Sequence, residues 1–188
     1  MMDAFLISLS TVAAAEMGDR TQLLSLVLAA HYRKPWPILA GVLFATLANH
    51  AMAGLVGAYF GAFLSPSVLD GVVGASMLGM ALWTLKPDHL DDAQVGNQRN
   101  AFLATLIAFF IAEMGDKTQI ATVALAAGFA NLGAVVAGTT GGMLLANAPA
   151  VFLGHAFADR LPIRKIHYGA SCLFAGLGTI FIIHAVMH

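Results

Sequence analysis

The 188 residues are 59% hydrophobic and only 10% charged, against roughly 25% charged in ordinary soluble domains, which excludes a water-soluble globular protein. At about 20 apolar residues per membrane span, six spans with short connections use up the length and leave no room for a separate soluble domain. The lone cysteine, Cys172, excludes an internal disulfide; the net charge of −1 describes neither partner nor surface because the charges are unevenly placed, and no nucleic-acid partner is expected.

In chain order, apolar runs broken by polar clusters predict six helices over residues 4–31, 36–64, 67–85, 101–128, 132–157 and 166–187. Pro35 and Pro37 open the second, Ser65-Pro66-Ser67 separates the second from the third, and Pro162 precedes the sixth, each a segment that punctuates helices. Ala13-Ala14-Ala15 after an apolar run imitates a signal-cleavage site, but the Met1-Met2-Asp3 start lacks a cationic n-region, so the first span is expected to be retained. The polar run Lys86 to Asn100 divides the chain. The fold expected is an all-α integral membrane protein forming one transmembrane domain over 1–188: a first repeat at 1–85, a cytoplasmic linker at 86–100 and a second repeat at 101–188.

Arg33, Lys34, Lys86, Arg99, Arg160, Arg164 and Lys165 all fall in the connections after the first, third and fifth helices. The opposite loops and both termini hold no lysine or arginine, so the positive-inside rule predicts that the basic loops are cytoplasmic and both termini face outward.

The halves repeat. Glu16-Met17-Gly18-Asp19-Arg20-Thr21-Gln22 returns as Glu113-Met114-Gly115-Asp116-Lys117-Thr118-Gln119, an offset of 97 with six of seven positions identical. Leu28-Ala29-Ala30 answers Leu125-Ala126-Ala127, and Gly41 and Gly57 answer Gly138 and Gly154 at the same offset. Three helices per half is an odd number, so the second copy is expected upside down relative to the first. Such inverted repeats place binding sites at the membrane midplane, where the halves meet.

Each heptapeptide sets two carboxylates and a cation in an otherwise apolar span, and ionisable groups at membrane depth mark functional sites. On a continuous helix Glu16 and Asp19, and likewise Glu113 and Asp116, share one face. Gly18 and Gly115 allow close helix approach or a local break. Four carboxylates against Arg20 and Lys117 carry a formal −4 + 2 = −2, which one divalent cation neutralises. Oxygen-rich sites suit hard ions such as Ca2+, Mn2+ or Mg2+. Asn49, Asn147, Gln22 and Gln119 could add neutral oxygens, with Arg20 and Lys117 balancing charge. A cation and protons compete for such a cluster, and that competition is the physical basis of antiport.

Blander uses exist for the same residues. Glu16 with Arg20, and Glu113 with Lys117, could form i,i+4 salt bridges, but these would leave Asp19 and Asp116 without partners. Asn49 and Asn147 could bond between helices, and His50 and His155 could relay protons or simply pack. Met17 and Met114 read as packing residues, and the Asp88 to Asp92 run as a solvated linker. Paired membrane carboxylates would also suit an intramembrane metal-dependent enzyme such as a lipid-phosphate hydrolase, although no phosphate cradle or nucleophile beside a base accompanies them.

The paired Glu-apolar-Gly-Asp-(Arg or Lys)-Thr motifs, three helices per half and the total length resemble the Ca2+/Mn2+:H+ exchangers once catalogued as uncharacterised protein family 0016. The resemblance covers essentially the whole chain. It implies a secondary transporter, not an enzyme, that exports divalent cations, Mn2+ foremost and Ca2+ next, in exchange for protons, with Glu16, Asp19, Glu113 and Asp116 binding the ion. It also implies no cofactor. The expected partners are the cation, protons and the lipid bilayer, with a homo-oligomer possible, and the expected location is a bacterial inner membrane with both termini periplasmic or extracellular.

Overall fold

The computed structural model describes residues 1–85, 100–153 and 163–187. Lys86, Arg99, Arg160, His89, His155, His188, Gly154 and the Asp88 to Asp92 run lie outside them, as do the side chains of Arg164, Lys165 and His167. Among the described residues there are eight helices and no strand. They are α1 (Met2–Glu16), α2 (Arg20–Tyr32), α3 (Pro35–Gly61), α4 (Pro66–Thr84), α5 (Ala101–Glu113), α6 (Lys117–Gly128), α7 (Leu132–Leu153) and α8 (Ile163–Met187).

The local chemistry explains most helix ends. Prolines sit in the first turns of α3 and α4, where a missing N–H costs nothing because that group has no intrahelical partner. The Asn100 side chain caps α5 by accepting the Phe102 and Leu103 amides at 3.0 and 3.4 Å, and Asn131 accepts the Ala134 amide at 2.8 Å at the start of α7. Among the described residues four helices are long and apolar enough to cross a membrane: Pro35–Gly61, Pro66–Thr84, Leu132–Phe152 and Tyr168–Met187. Ala101–Glu113 is apolar but shorter.

The helices expected at 4–31 and 101–128 are each divided, and the division corrects the continuous-helix reading of the acidic motifs. Met17 at φ −66°, ψ 118° is followed by Gly18 at φ +83°, and Met114 at φ −63°, ψ 118° by Gly115 at φ +74°. With Asp19 N–H donating to Glu16 O at 3.1 Å and Asp116 N–H to Glu113 O at 3.2 Å, both segments are type II turns, which demand a positive φ at the third position and hence glycine. Asp19 and Asp116 then begin α2 and α6.

Packing joins the halves by exchange. Gly41 of α3 sits against Phe102 and Thr105 of α5, while Gly138 of α7 sits against Phe5 and Ser8 of α1; each contact becomes the other when 97 is added or subtracted. A side chain at either glycine would collide with the facing helix, so small residues set the separation, as is usual between membrane helices. The third helices pair directly, with Gly74 of α4 against Gly178 of α8. The pair is not seated evenly: α4 lies chiefly on α6, and α8 chiefly on α1.

Candidate cation site

The two turns bring their acids together in the interior. Glu16 ends α1 and Asp19 opens α2; Glu113 ends α5 and Asp116 opens α6. All four carboxylates are buried. Oxygens of Glu16, Asp19 and Asp116 lie within 4.8 Å of one another, and Glu113 stands in electrostatic range of Glu16. The sharing of one helical face anticipated for each pair is thus replaced by a break in the helix that reaches a similar end: the carboxylates flank the gap. The first amides of α2 and α6 also point their positive dipole ends toward it.

The cations cross between repeats. Arg20 Nη2 donates to Asp116 Oδ1 at 2.9 Å and to the Ala112 carbonyl at 2.6 Å, and Lys117 Nζ donates to Asp19 Oδ1 at 2.8 Å. The i,i+4 pairs Glu16–Arg20 and Glu113–Lys117 are not the arrangement adopted. Each aspartate holds the other repeat's cation, and neither glutamate has a lysine or arginine at bonding distance among the described contacts.

Hydroxyls and amides complete the frame. Thr21 donates to Glu16 Oε2 and Thr118 to Glu113 Oε2 at 3.2 Å. These threonines were not among the expected site residues, although their place in both motif copies was a visible signal. Gln22 Oε1 accepts the Gly18 amide at 2.8 Å while its Nε2 donates to the Ala146 carbonyl at 2.8 Å, and Gln119 Oε1 accepts the Gly115 amide at 2.7 Å. Both glutamine oxygens therefore clasp their own turns. Asn147 Oδ1 accepts the Ser25 hydroxyl at 2.8 Å. Asn49 Nδ2 donates to the Phe110 carbonyl at 3.1 Å, leaving Asn49 Oδ1 buried without a partner. By the 97-residue register the counterpart of Asn147 is His50 rather than Asn49.

Glu16 Oε1, Glu113 Oε1 and Asp116 Oδ2 are likewise buried without a hydrogen-bond partner. Orphaned carboxylate oxygens in an apolar interior are expensive, and several around one gap form the donor set a hard cation requires. Proteins with this design exist. The profile of the family described as divalent cation/proton antiporter GDT1 matches residues 4–92 and 101–188. The chain belongs to the GDT1 family. A protein of Vibrio cholerae serotype O1 described as "Putative manganese exporter" is 51% identical over 185 residues, covering 96% of this chain and 92% of that protein. A GDT1-like protein of Synechocystis sp. is 28% identical over 196 residues, covering 93% and 94%. No solved structure matches significantly. As a GDT1-family member the chain is a multi-pass membrane transporter of divalent cations and protons, and the intramembrane-enzyme alternative is set aside.

Proposed function

We propose that this GDT1-family chain exports Mn2+ from the cytoplasm, with Ca2+ the second choice, in exchange for protons. The observation that carries the reading is the gap between the two broken helices, where oxygens of Glu16, Asp19 and Asp116 lie within 4.8 Å of one another, Glu113 stands near, and buried carboxylate oxygens lack partners. These four bind the ion, and Arg20 and Lys117 bring the formal charge to −2. Asn49 adds a neutral oxygen, while Gln22, Gln119 and Asn147 lend theirs chiefly to holding the turns and α2. The likeness to the Vibrio cholerae protein supports Mn2+ as cargo.

In the architecture proposed, α1 with α2 and α5 with α6 each make one broken span, so that six spans form two inverted repeats at 1–85 and 101–188 joined by a cytoplasmic linker, with both termini on the outer side of a bacterial inner membrane. The reciprocal contacts of Gly41 and Gly138 support the two-fold relation. The uneven seating of α4 and α8 supports a site closed on one side at a time. Proteoliposomes loaded with a pH dye and given external Mn2+, Ca2+ or Mg2+ test the reading. Mn2+ entry should drive proton exit in the wild type, and Asp19→Asn and Asp116→Asn should abolish it. Wild-type activity in both variants sinks the site assignment; cation flux without proton movement under a clamped potential sinks antiport.

A further inference from the structure

The heptapeptides do not account for His50. It lies on α3, fully buried, with neither Nδ1 nor Nε2 hydrogen-bonded. Its Nε2 is 3.8 Å from Glu113 Oε2. That separation is too long for a hydrogen bond, yet within reach of a shared ion, since two ligand bonds of about 2.0–2.6 Å each bridge up to roughly 4–5 Å. The glutamate's environment is consistent: Oε2 takes the Thr118 hydroxyl and Oε1 has no partner. Next to His50, Asn49 is pinned by its amide to the Phe110 carbonyl, one turn before Glu113 on α5, which fixes this part of α3 against the end of α5. The carboxylates in electrostatic range of Glu113 are Glu16 and Asp116, and the motif cations are Arg20 and Lys117. The two cations are committed to the aspartates.

The register sharpens the point. His50 occupies the position that Asn147 holds in the second repeat, and Asn147 Oδ1 is spent on Ser25. The site is therefore symmetric in carboxylates and asymmetric in one nitrogen donor.

We propose that His50 Nε2 ligates the transported ion beside Glu113 and sets the preference of the site for transition-metal ions over Ca2+ and Mg2+. The proposal rests on the export reading above. Ca2+ and Mg2+ take oxygen ligands, whereas neutral imidazole is a common ligand of first-row transition ions. Four carboxylates alone accept any hard divalent ion; one imidazole supplies the bias. Because affinity at nitrogen-containing sites rises from Mn2+ through Co2+, Co2+ should compete with Mn2+ more strongly than Ca2+ does.

Pulsed electron paramagnetic resonance on Mn2+ bound to the full chain in nanodiscs, with 14N- or 15N-imidazole histidine, reads the bond directly. Wild type should show nitrogen coupling that changes with the isotope, and His50→Asn, which copies the second repeat, should lose it. In proteoliposomes the Mn2+/Ca2+ preference of His50→Asn should fall about 10-fold or more relative to wild type. Bound Mn2+ with no nitrogen coupling in the wild type overturns the proposal and leaves the carboxylate site standing. An unchanged preference in a folded His50→Asn overturns the selectivity role. A wild type that binds no Mn2+ overturns the export reading and this assignment with it.

Discussion

The first acidic turn, Glu16 to Asp19, and the second, Glu113 to Asp116, are built alike and set in unlike surroundings. Both are type II turns closed by a glutamine, both glutamates take a threonine hydroxyl, and both aspartates receive the opposite cation. The differences lie just outside. Lys117 is 1% exposed where Arg20 is 27% exposed, Met114 is exposed where Met17 is half-buried, and His50 faces Glu113 where the second repeat has Asn147. Exchanging the repeats would carry the α4–α6 contact onto α8–α2, but α8 lies on α1. The lesson is that the chemistry of the acidic turns follows the repeat while the scaffold around them does not. A carrier that must present one site to two sides in turn needs that combination.

Substitutions in the two turns test how far they are equivalent. The largest effect is expected at the aspartates: Asp19→Asn and Asp116→Asn should each lower Mn2+-driven proton flux by about 100-fold or more, and by similar amounts, since each supplies an oxygen to the gap and anchors a cation. A strongly unequal loss in the dye assay would show that the repeats do not share one site. Next come the cations. Lys117→Met removes a fully buried partner of Asp19 and should cost about 3–5 kcal/mol, read as a lowered Tm in detergent. Arg20→Met, more exposed, should cost less, and the reverse order would contradict the burial difference. Gly115→Ala is smaller still. A Cβ there meets nothing within 4 Å, so the change isolates the left-handed backbone, at about 1–2 kcal/mol, and Gly115→Asn should recover part of it. Smallest is Met114→Leu, whose exposed side chain is no ligand: transport should stay within about 2-fold, and a large loss would point to the thioether.

Much of this site could be read from the chain because its parts are local. Glycine third in Glu-Met-Gly-Asp is the signature of a turn that needs positive φ, and acids in an apolar run are conspicuous. The continuous helix assumed for Glu16 and Asp19 failed because a three-residue turn interrupts the ladder without disturbing the apolar pattern on either side, so periodicity passes over it. The crossed cation pairs were missed for a related reason. Nearest-neighbour reasoning favours Glu16–Arg20 within one helix, whereas the fold offers Arg20 a partner 96 residues away. The position of His50 against Glu113 depends on how α3 packs on α5, which composition does not encode. The register also pairs Asn147 with His50, so the two asparagines are not equivalent positions of the repeat.

The crossed pairs also bear on how the chain comes to be made. Arg20 and Asp19 leave the ribosome with the first half, but their partners, Asp116 and Lys117, are about 97 residues behind. At roughly 5–20 residues per second of synthesis, the first acidic turn waits some 5–20 s before its complement exists. During that interval its charges must be hydrated, held by the insertion machinery, or kept out of the lipid. The heptapeptide is therefore a constraint on biogenesis as well as on transport. Either half expressed alone should be unstable in the bilayer, and co-expression of the two should rescue both.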